Sequence, residues 1–136
     1  MVENEQSCLA LPTLPNTIVV AGGGKNVAWM SADWLQGKRV GYWGDIDSEG
    51  FSILSDVRSK VSHVRPLMMD RETVDAFQAR MVAEPDSVQS EPAGLTDTER
   101  ALFRELRANQ FKDARLEQER LPLDYVQSVL CDWLRC

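Results

Sequence analysis

The chain has 136 residues, which is enough for one domain with a substantial apolar core. Apolar residues make up 43% and charged residues 26%, as in ordinary globular proteins, and no apolar run approaches the ~20 residues that cross a bilayer. The formal net charge of −6 argues against a domain that holds DNA unaided, because phosphate contacts dominate such binding. Either the protein binds no nucleic acid, or its acidic residues serve a metal centre while other domains hold the DNA.

Two features indicate the cytoplasm. The chain begins with Met1-Val2-Glu3-Asn4-Glu5, which is acidic where a secretory signal would be basic. The three cysteines have no CxxC spacing and His63 is the single histidine, which argues against a structural zinc site and fits a reducing compartment. We therefore expect a cytoplasmic protein with no membrane partner.

The first half of the chain alternates between strand-like and helix-like segments. Residues 17–21 form a β-branched run that ends in three glycines, which predicts a buried strand, and residues 26–35 are compatible with a helix. Residues 39–44 and 63–69 are the next strand candidates, and the apolar spacing in residues 51–57 is helical. This alternation predicts an α/β fold with a mainly parallel sheet and helices on both faces.

The second half of the chain reads as helical. A segment rich in proline, serine and acidic residues comes first and indicates a linker or long loop. Thr96 and Glu99 then have the spacing of a capping box, and a last helix is expected to begin near Pro122. The predicted division is an α/β core of residues 1–84, a linker of residues 85–95, and a C-terminal helical extension of residues 96–136 packed on the core.

Asp45 and Asp47 are the strongest candidates for a functional site. They follow a predicted buried strand, with Gly44 before them and Gly50 and a helix after them. Open α/β sheets bind ligands at the carboxyl ends of their strands. Residues two apart in extended backbone point the same way, so the two carboxylates can share a hard cation such as Mg²⁺ or Mn²⁺. A surface pair with no function is the alternative for so short a motif.

Glu3 extends this pattern, because residues 1–3 look like the end of a strand whose beginning is missing. A glutamate at one strand end and a DxD motif at another resemble the Toprim fold, a Rossmann-like α/β architecture. Residues 2–11 resemble its glutamate motif, and residues 42–51 resemble its DxD motif, also in the form found in A subunits of type IIB topoisomerases. The resemblance implies that Glu3, Asp45 and Asp47 are catalytic and ligate the metal.

Three strings in order resemble a narrower family, the C-terminal domain of the Wadjet D subunit: residues 43–51, 67–73 and 115–120. This resemblance covers nearly the whole chain. It implies a Toprim nuclease that hydrolyses circular plasmid DNA together with condensin-like SMC and kleisin subunits, for which the full-length protein or complex supplies the DNA contacts. A homodimer is a further expectation.

The nucleophile that fits this sequence is water activated by the metal. Topoisomerase A subunits use a tyrosine of an upstream domain, whereas Tyr42 lies in the DxD strand and Tyr125 in the last helix. Glu3 can then be a metal ligand or a general base. One alternative is a magnesium-dependent phosphatase or phosphotransferase, although Ser48-Glu49 departs from its D-x-D-G-T pattern. The other is a non-catalytic Toprim domain that docks subunits.

Four further residues are candidates for support of the site or for DNA contact: Glu49, Lys25, Asp70 and Arg71. Lys25 follows a glycine triplet that a tight turn explains equally well. Asp70 is more readily explained as a helix cap, with a role beside the metal as the alternative. The charged string at residues 115–120 can be an ion-pair cluster or a packing element, and the sequence alone does not assign its role.

Overall fold

The computed structural model describes residues 1–85 and 88–135. Asp86, Ser87 and Cys136 lie outside this range, so the predicted linker 85–95 and the predicted extension 96–136 are described only in part. Within the described residues, the regular elements are helices α1 (Glu5–Leu9), α2 (Ser48–Lys60), α3 (Arg71–Phe77), α4 (Asp97–Arg107) and α5 (Leu123–Arg135), with strands β1 (Gly41–Tyr42) and β2 (Arg65–Pro66). No helix within these residues has the length and apolar composition needed to cross a membrane.

The strands form a small parallel sheet that single residues extend on one side. β1 pairs with β2 in parallel, with Gly41 opposite Arg65. On the other side of β1, Val2 forms parallel bridges with both Trp43 and Ala21. The backbone segments around Ala21, Val2, β1 and β2 therefore lie side by side in that order. The prediction of an α/β protein with parallel strand pairing is confirmed.

Helix α2 begins directly at the predicted acidic motif. Asp47 is its N-cap, and the Oδ1 atom accepts a hydrogen bond of 2.7 Å from the Gly50 N–H. The side chains of Phe51, Leu54 and Val57 are fully buried, as their helical spacing predicts. Because these side chains anchor α2 in the core, they also fix the position of the DxD motif between β1 and α2.

The C-terminal half packs on α2, and two backbone bridges also join it to the segments that follow β1 and α3. The rings of Phe51 and Phe103 meet edge to face at 6.4 Å, and α4 starts with the predicted capping box. Farther along the chain, Leu116 forms an antiparallel bridge with Ile46, and Arg115 forms one with Val82. These bridges place the charged string of residues 115–120 beside the DxD motif.

Two predicted elements differ from the structure. Residues 17–21 are not a buried strand, because Ala21 alone forms a bridge and the Ile18 side chain is 77% exposed. Residues 26–35 are not an α-helix but two short 3₁₀ helices, Ala28–Ser31 and Asp33–Leu35. Ala32 has extended backbone angles between them, which interrupts the helical hydrogen bonds.

Candidate functional site

The structure brings Glu3, Asp45 and Asp47 to the same end of neighbouring parallel segments. The Glu3 N–H donates to the Trp43 carbonyl at 2.9 Å, which fixes the first segment against β1. The Glu3 Oε2 atom then accepts hydrogen bonds from the Tyr42 hydroxyl at 3.0 Å and from the Asp45 N–H at 3.3 Å. The glutamate side chain therefore lies across the strand end from which the DxD motif starts.

Gly44 allows this close approach. A Cβ atom at position 44 would lie 2.6 Å from Glu3 Oε2 and would also collide with the Tyr42 hydroxyl. Gly50 has a comparable role on the other side, because a Cβ there would collide with the Asp45 carbonyl oxygen. At both glycines that flank the DxD motif, any larger residue would collide with atoms of the acidic site.

Both aspartates of the motif are buried, and both contact one arginine. Asp45 is 6% exposed and Asp47 is 5% exposed. The Arg115 guanidinium donates to Asp45 Oδ2 from Nη2 at 2.7 Å and from Nε at 3.2 Å. Its Nε atom also lies 3.2 Å from Asp47 Oδ2. Arg115 therefore supplies a positive charge to both carboxylates of the motif.

Gln118 completes the environment of Asp45. Its backbone N–H donates to Asp45 Oδ1 at 2.8 Å, so both carboxylate oxygens of Asp45 have donors. The Gln118 side chain donates from Nε2 to the Trp43 carbonyl at 3.0 Å and accepts from the Asn4 N–H at 2.9 Å. This buried glutamine links the Glu3 segment, the DxD strand and the C-terminal half.

Burial and mutual repulsion raise the pKa values of two of the three acids. Burial is the largest cause for Glu3, and the nearby Asp45 carboxylate adds to it, so that the pKa rises to about 7. Burial also raises the pKa of Asp47 to about 6, against the opposing hydrogen bond from the Gly50 N–H. A cation placed among these oxygens would favour their charged forms.

A cavity of about 120 Å³ opens between the acidic residues, and Glu3, Asp47, Glu49, Glu84 and Arg115 line it together with Pro85. Glu84 accepts hydrogen bonds at Oε1 from the Ser48 N–H at 3.1 Å and from the Ser48 hydroxyl. Its Oε2 atom is buried and has no hydrogen-bond partner among the described residues. The cavity therefore contains four carboxylates and one arginine.

The donor set suits a hard divalent cation, since Mg²⁺ and Mn²⁺ prefer carboxylate oxygens and water. As the side chains stand, however, no three acidic, histidine or cysteine side chains within residues 1–85 and 88–135 form a metal-binding group. The Arg115 guanidinium lies where a cation shared by Asp45 and Asp47 would have to approach. The acidic cluster is thus chemically suited to a metal, and its metal-binding arrangement requires side-chain movement.

Two of the four supporting candidates lie at this site. Glu49 lines the cavity and forms an exposed ion pair of 3.1 Å with Lys25, which places that lysine at the acidic end of the sheet. Asp70 instead caps α3, accepting hydrogen bonds of 2.8 Å from the N–H and the hydroxyl of Thr73. Arg71 pairs with Asp75 and Glu105, each at 2.7 Å.

Sequence reasoning did not assign three residues of the site: Glu84, Arg115 and Gln118. The string of residues 115–120 was noticeable in the sequence, but nothing local connects it with a motif 70 positions earlier. Glu84 comes just before the predicted linker and has no motif around it. The antiparallel bridges of Leu116 with Ile46 and of Arg115 with Val82 bring these three residues to the DxD motif, and neither bridge is apparent from the sequence.

One comparison with known proteins supports the resemblance to the Wadjet family. A family model described as "Wadjet protein JetD, C-terminal" matches residues 1–130. No curated protein matches the chain.

Proposed function

Because this chain belongs to the family of C-terminal domains of the Wadjet protein JetD, we propose that it is the metal-dependent DNA endonuclease part of a plasmid-defence protein. Its reaction is hydrolysis of phosphodiester bonds in circular DNA. Condensin-like SMC and kleisin subunits act with the full-length protein and present the DNA. The fold assigned by this proposal is a Toprim domain.

The observation that carries the proposal is the convergence of Glu3, Asp45 and Asp47. The three carboxylates come from two neighbouring parallel segments and meet at their carboxyl ends, where Glu3 Oε2 accepts from the Asp45 N–H. Such a cluster, with Asp45 and Asp47 buried and Glu3 half-buried, lowers stability because burial and repulsion disfavour the charged forms, which supports a functional role for it.

Glu3, Asp45 and Asp47 are the residues that would hold Mg²⁺ or Mn²⁺. Such an ion, when bound, lowers the pKa of a water molecule and stabilises negative charge on the phosphate. The N-cap hydrogen bond from Gly50 fixes the Asp47 carboxylate, and the Tyr42 hydroxyl fixes Glu3. Burial keeps the Tyr42 hydroxyl neutral by raising its pKa, so the hydroxyl acts as a donor.

In this proposal, other parts of the assembly hold the DNA, which the net charge of the chain supports. With a net charge of −6, this chain repels phosphate at long range. Lys25 lies at the acidic end of the sheet and is 68% exposed, so it can contact a phosphate that the partner subunits have brought to the site. This division of roles explains an acidic domain in a DNA-cleaving protein.

The direct test is plasmid cleavage by the full-length protein together with its partner subunits. Asp45→Asn and Asp47→Asn should each lower the conversion of closed circular DNA to linear DNA by at least about a hundredfold, because misplacing a catalytic group by one ångström has that effect. Asparagine keeps the size of the side chain and remains a good N-cap at position 47. Asp47→Asn should therefore leave folding and subunit assembly unchanged, whereas Asp45→Asn turns an amide donor toward Arg115 or the Gln118 N–H, so its stability is measured by urea unfolding beside its cleavage.

Glu5→Gln is the matched control, since Glu5 is an exposed acid in the first turn of α1, two residues after Glu3. It should cleave like the wild type. Full cleavage by either asparagine variant would exclude the nuclease assignment. Cleavage of a small phosphomonoester, with no effect on plasmid, would instead favour a phosphatase.

A further inference from the structure

Both carboxylates of the DxD motif already contact one positively charged side chain of the protein. Arg115 Nε lies 3.2 Å from Asp45 Oδ2 and 3.2 Å from Asp47 Oδ2, and Arg115 Nη2 lies 2.7 Å from Asp45 Oδ2. One guanidinium thus bridges the two oxygens that face each other across the motif. The contact with Asp45 is a charge-assisted hydrogen bond, and the contact with Asp47 is an ion pair.

A divalent cation between Asp45 and Asp47 would approach the same oxygens that Arg115 contacts. Mg²⁺ binds carboxylate oxygen at about 2.0–2.1 Å, so an ion between Asp45 and Asp47 would lie against the guanidinium nitrogens and repel them. We propose that Arg115 is a built-in counter-ion that competes with the catalytic metal for Asp45 and Asp47 and moves away when the metal binds. This inference rests on the proposed function, because it concerns the same metal centre.

The surroundings of Arg115 permit such a movement. Its backbone is fixed by two hydrogen bonds with Val82, of 2.8 and 3.0 Å, so only the side chain needs to turn. The side chain is 28% exposed and lines the open cavity. Glu117 Oε1 lies 3.6 Å from Arg115 Nη1 and can retain the guanidinium after it has left the aspartates.

A purely structural ion pair in the same protein looks different. Arg58 bonds to both oxygens of Glu99 at 2.8 Å, and the two side chains are 17% and 8% exposed, away from the acidic cavity. Arg115 is more exposed, contacts both aspartates of the motif and Glu117, and lies in the wall of a cavity that contains three further carboxylates. These features suit an exchangeable partner.

The test measures Mn²⁺ binding to the chain by titration calorimetry. Arg115→Gln removes the competing charge, so the dissociation constant should fall about tenfold, which corresponds to about 1.4 kcal/mol. Arg115→Lys keeps the charge and should bind Mn²⁺ less tightly than Arg115→Gln. Arg104→Gln is the matched control, because it removes the same charge from an exposed arginine that pairs with Glu91 at 2.6 Å, away from the acidic cavity, and its dissociation constant should equal that of the wild type.

A second measurement uses the unchanged chain and does not depend on how a variant folds. In a titration with Mg²⁺ followed by NMR, the Nε–Hε signal of Arg115 should shift as its contacts with Asp45 and Asp47 break, while that of Arg58 stays in place. An unmoved Arg115 signal at saturating Mg²⁺, or equal or weaker Mn²⁺ binding by folded Arg115→Gln, overturns the inference and leaves the nuclease proposal standing. Absence of metal binding in both wild type and variant overturns both.

Discussion

The Gln118 N–H donates a hydrogen bond of 2.8 Å to Asp45 Oδ1, although the two residues are 73 positions apart in the chain. The same residue reaches Trp43 and Asn4 with its side-chain amide. Gln118 is therefore a positioning residue that holds both acidic motifs in register. Since the side chain is 2% exposed, its polar atoms have no access to solvent as a substitute.

Replacing Gln118 should damage both stability and cleavage. Gln118→Leu leaves the half-buried Asn4 N–H without its acceptor, while the Trp43 carbonyl keeps the Glu3 N–H, at an expected cost of about 1–3 kcal/mol in the free energy of unfolding. Urea unfolding measures this loss, and plasmid cleavage by the assembled complex should fall in parallel. The exposed Gln6, replaced by leucine, should change neither. A fully stable and active Gln118→Leu protein would contradict the positioning role.

Glu3 should make the protein less stable as pH rises. Its pKa is about 7 in the folded protein against an ordinary 4.5, so the folded state binds the proton more tightly than the unfolded state. The free energy of unfolding should therefore decrease between about pH 4.5 and pH 7, by about 1–3 kcal/mol from this group.

Glu3→Gln removes that part of the pH dependence, because glutamine cannot ionise. Chemical unfolding in the absence of divalent metal should show the variant to be more stable than the wild type at pH 8 and similar to it at pH 4. Glu5→Gln, an exposed neighbour, should retain the wild-type profile. Identical profiles for wild type and Glu3→Gln would show that Glu3 keeps an ordinary pKa.

Gly44→Ala should separate activity from folding. The added Cβ would lie 2.6 Å from Glu3 Oε2 and would push the glutamate away from Asp45. Cleavage should fall by about a hundredfold, as expected for a displacement of one ångström, while the free energy of unfolding should fall by only about 1–3 kcal/mol. Gly37→Ala is the control, because a Cβ there meets no atom within 4 Å. Wild-type cleavage by Gly44→Ala would mean that Glu3 does not need its observed position.

The ion pair between Arg58 and Glu99 should contribute to the free energy of unfolding and not to DNA cleavage. Arg58→Met leaves the Glu99 carboxylate buried without its partner, which should cost about 3–5 kcal/mol in urea unfolding. Arg104→Met is the comparison, since Arg104 is 68% exposed and pairs with Glu91 at the surface. That variant should lose less than about 1 kcal/mol. Equal losses would show that burial does not distinguish the two pairs.

The isolated chain should bind DNA weakly, because its net charge of −6 opposes phosphate. Fluorescence anisotropy with a short labelled duplex at 150 mM salt measures this, and a dissociation constant weaker than about 10⁻⁴ M is expected. The full-length protein with its partner subunits is the positive comparison. Tight binding by the isolated chain, weakened by added salt, would show that this domain recognises DNA itself.

The sequence predicted the local parts of the site well. The apolar strand and the helical spacing of residues 51–57 are signals within a few residues, and the structure has β1 and helix α2 there, although the N-cap role of Asp47 was not predicted. The capping box of Thr96 and Glu99 is equally local and is confirmed. Each of these features depends on backbone chemistry that neighbouring residues determine.

Features that depend on distant partners could not be predicted in the same way. The β-branched run at residues 17–21 has strand propensity, but its burial depends on which segments cover it, and Ile18 is exposed. Arg115 reaches Asp45 only because Leu116 bridges Ile46. Neither the pairing nor the resulting ion pair leaves a periodic signal in the sequence.

The bridge between Ile46 and Leu116 has a consequence for synthesis on the ribosome. When translation has reached Phe111, the acids Glu3, Asp45 and Asp47 have all been made, but Arg115 and Gln118 have not. The growing polypeptide therefore carries the DxD carboxylates without the donors that later surround Asp45. The acidic centre reaches its described form only after the chain up to Gln118 has emerged from the exit tunnel, so a product terminated before Arg115 lacks both donors.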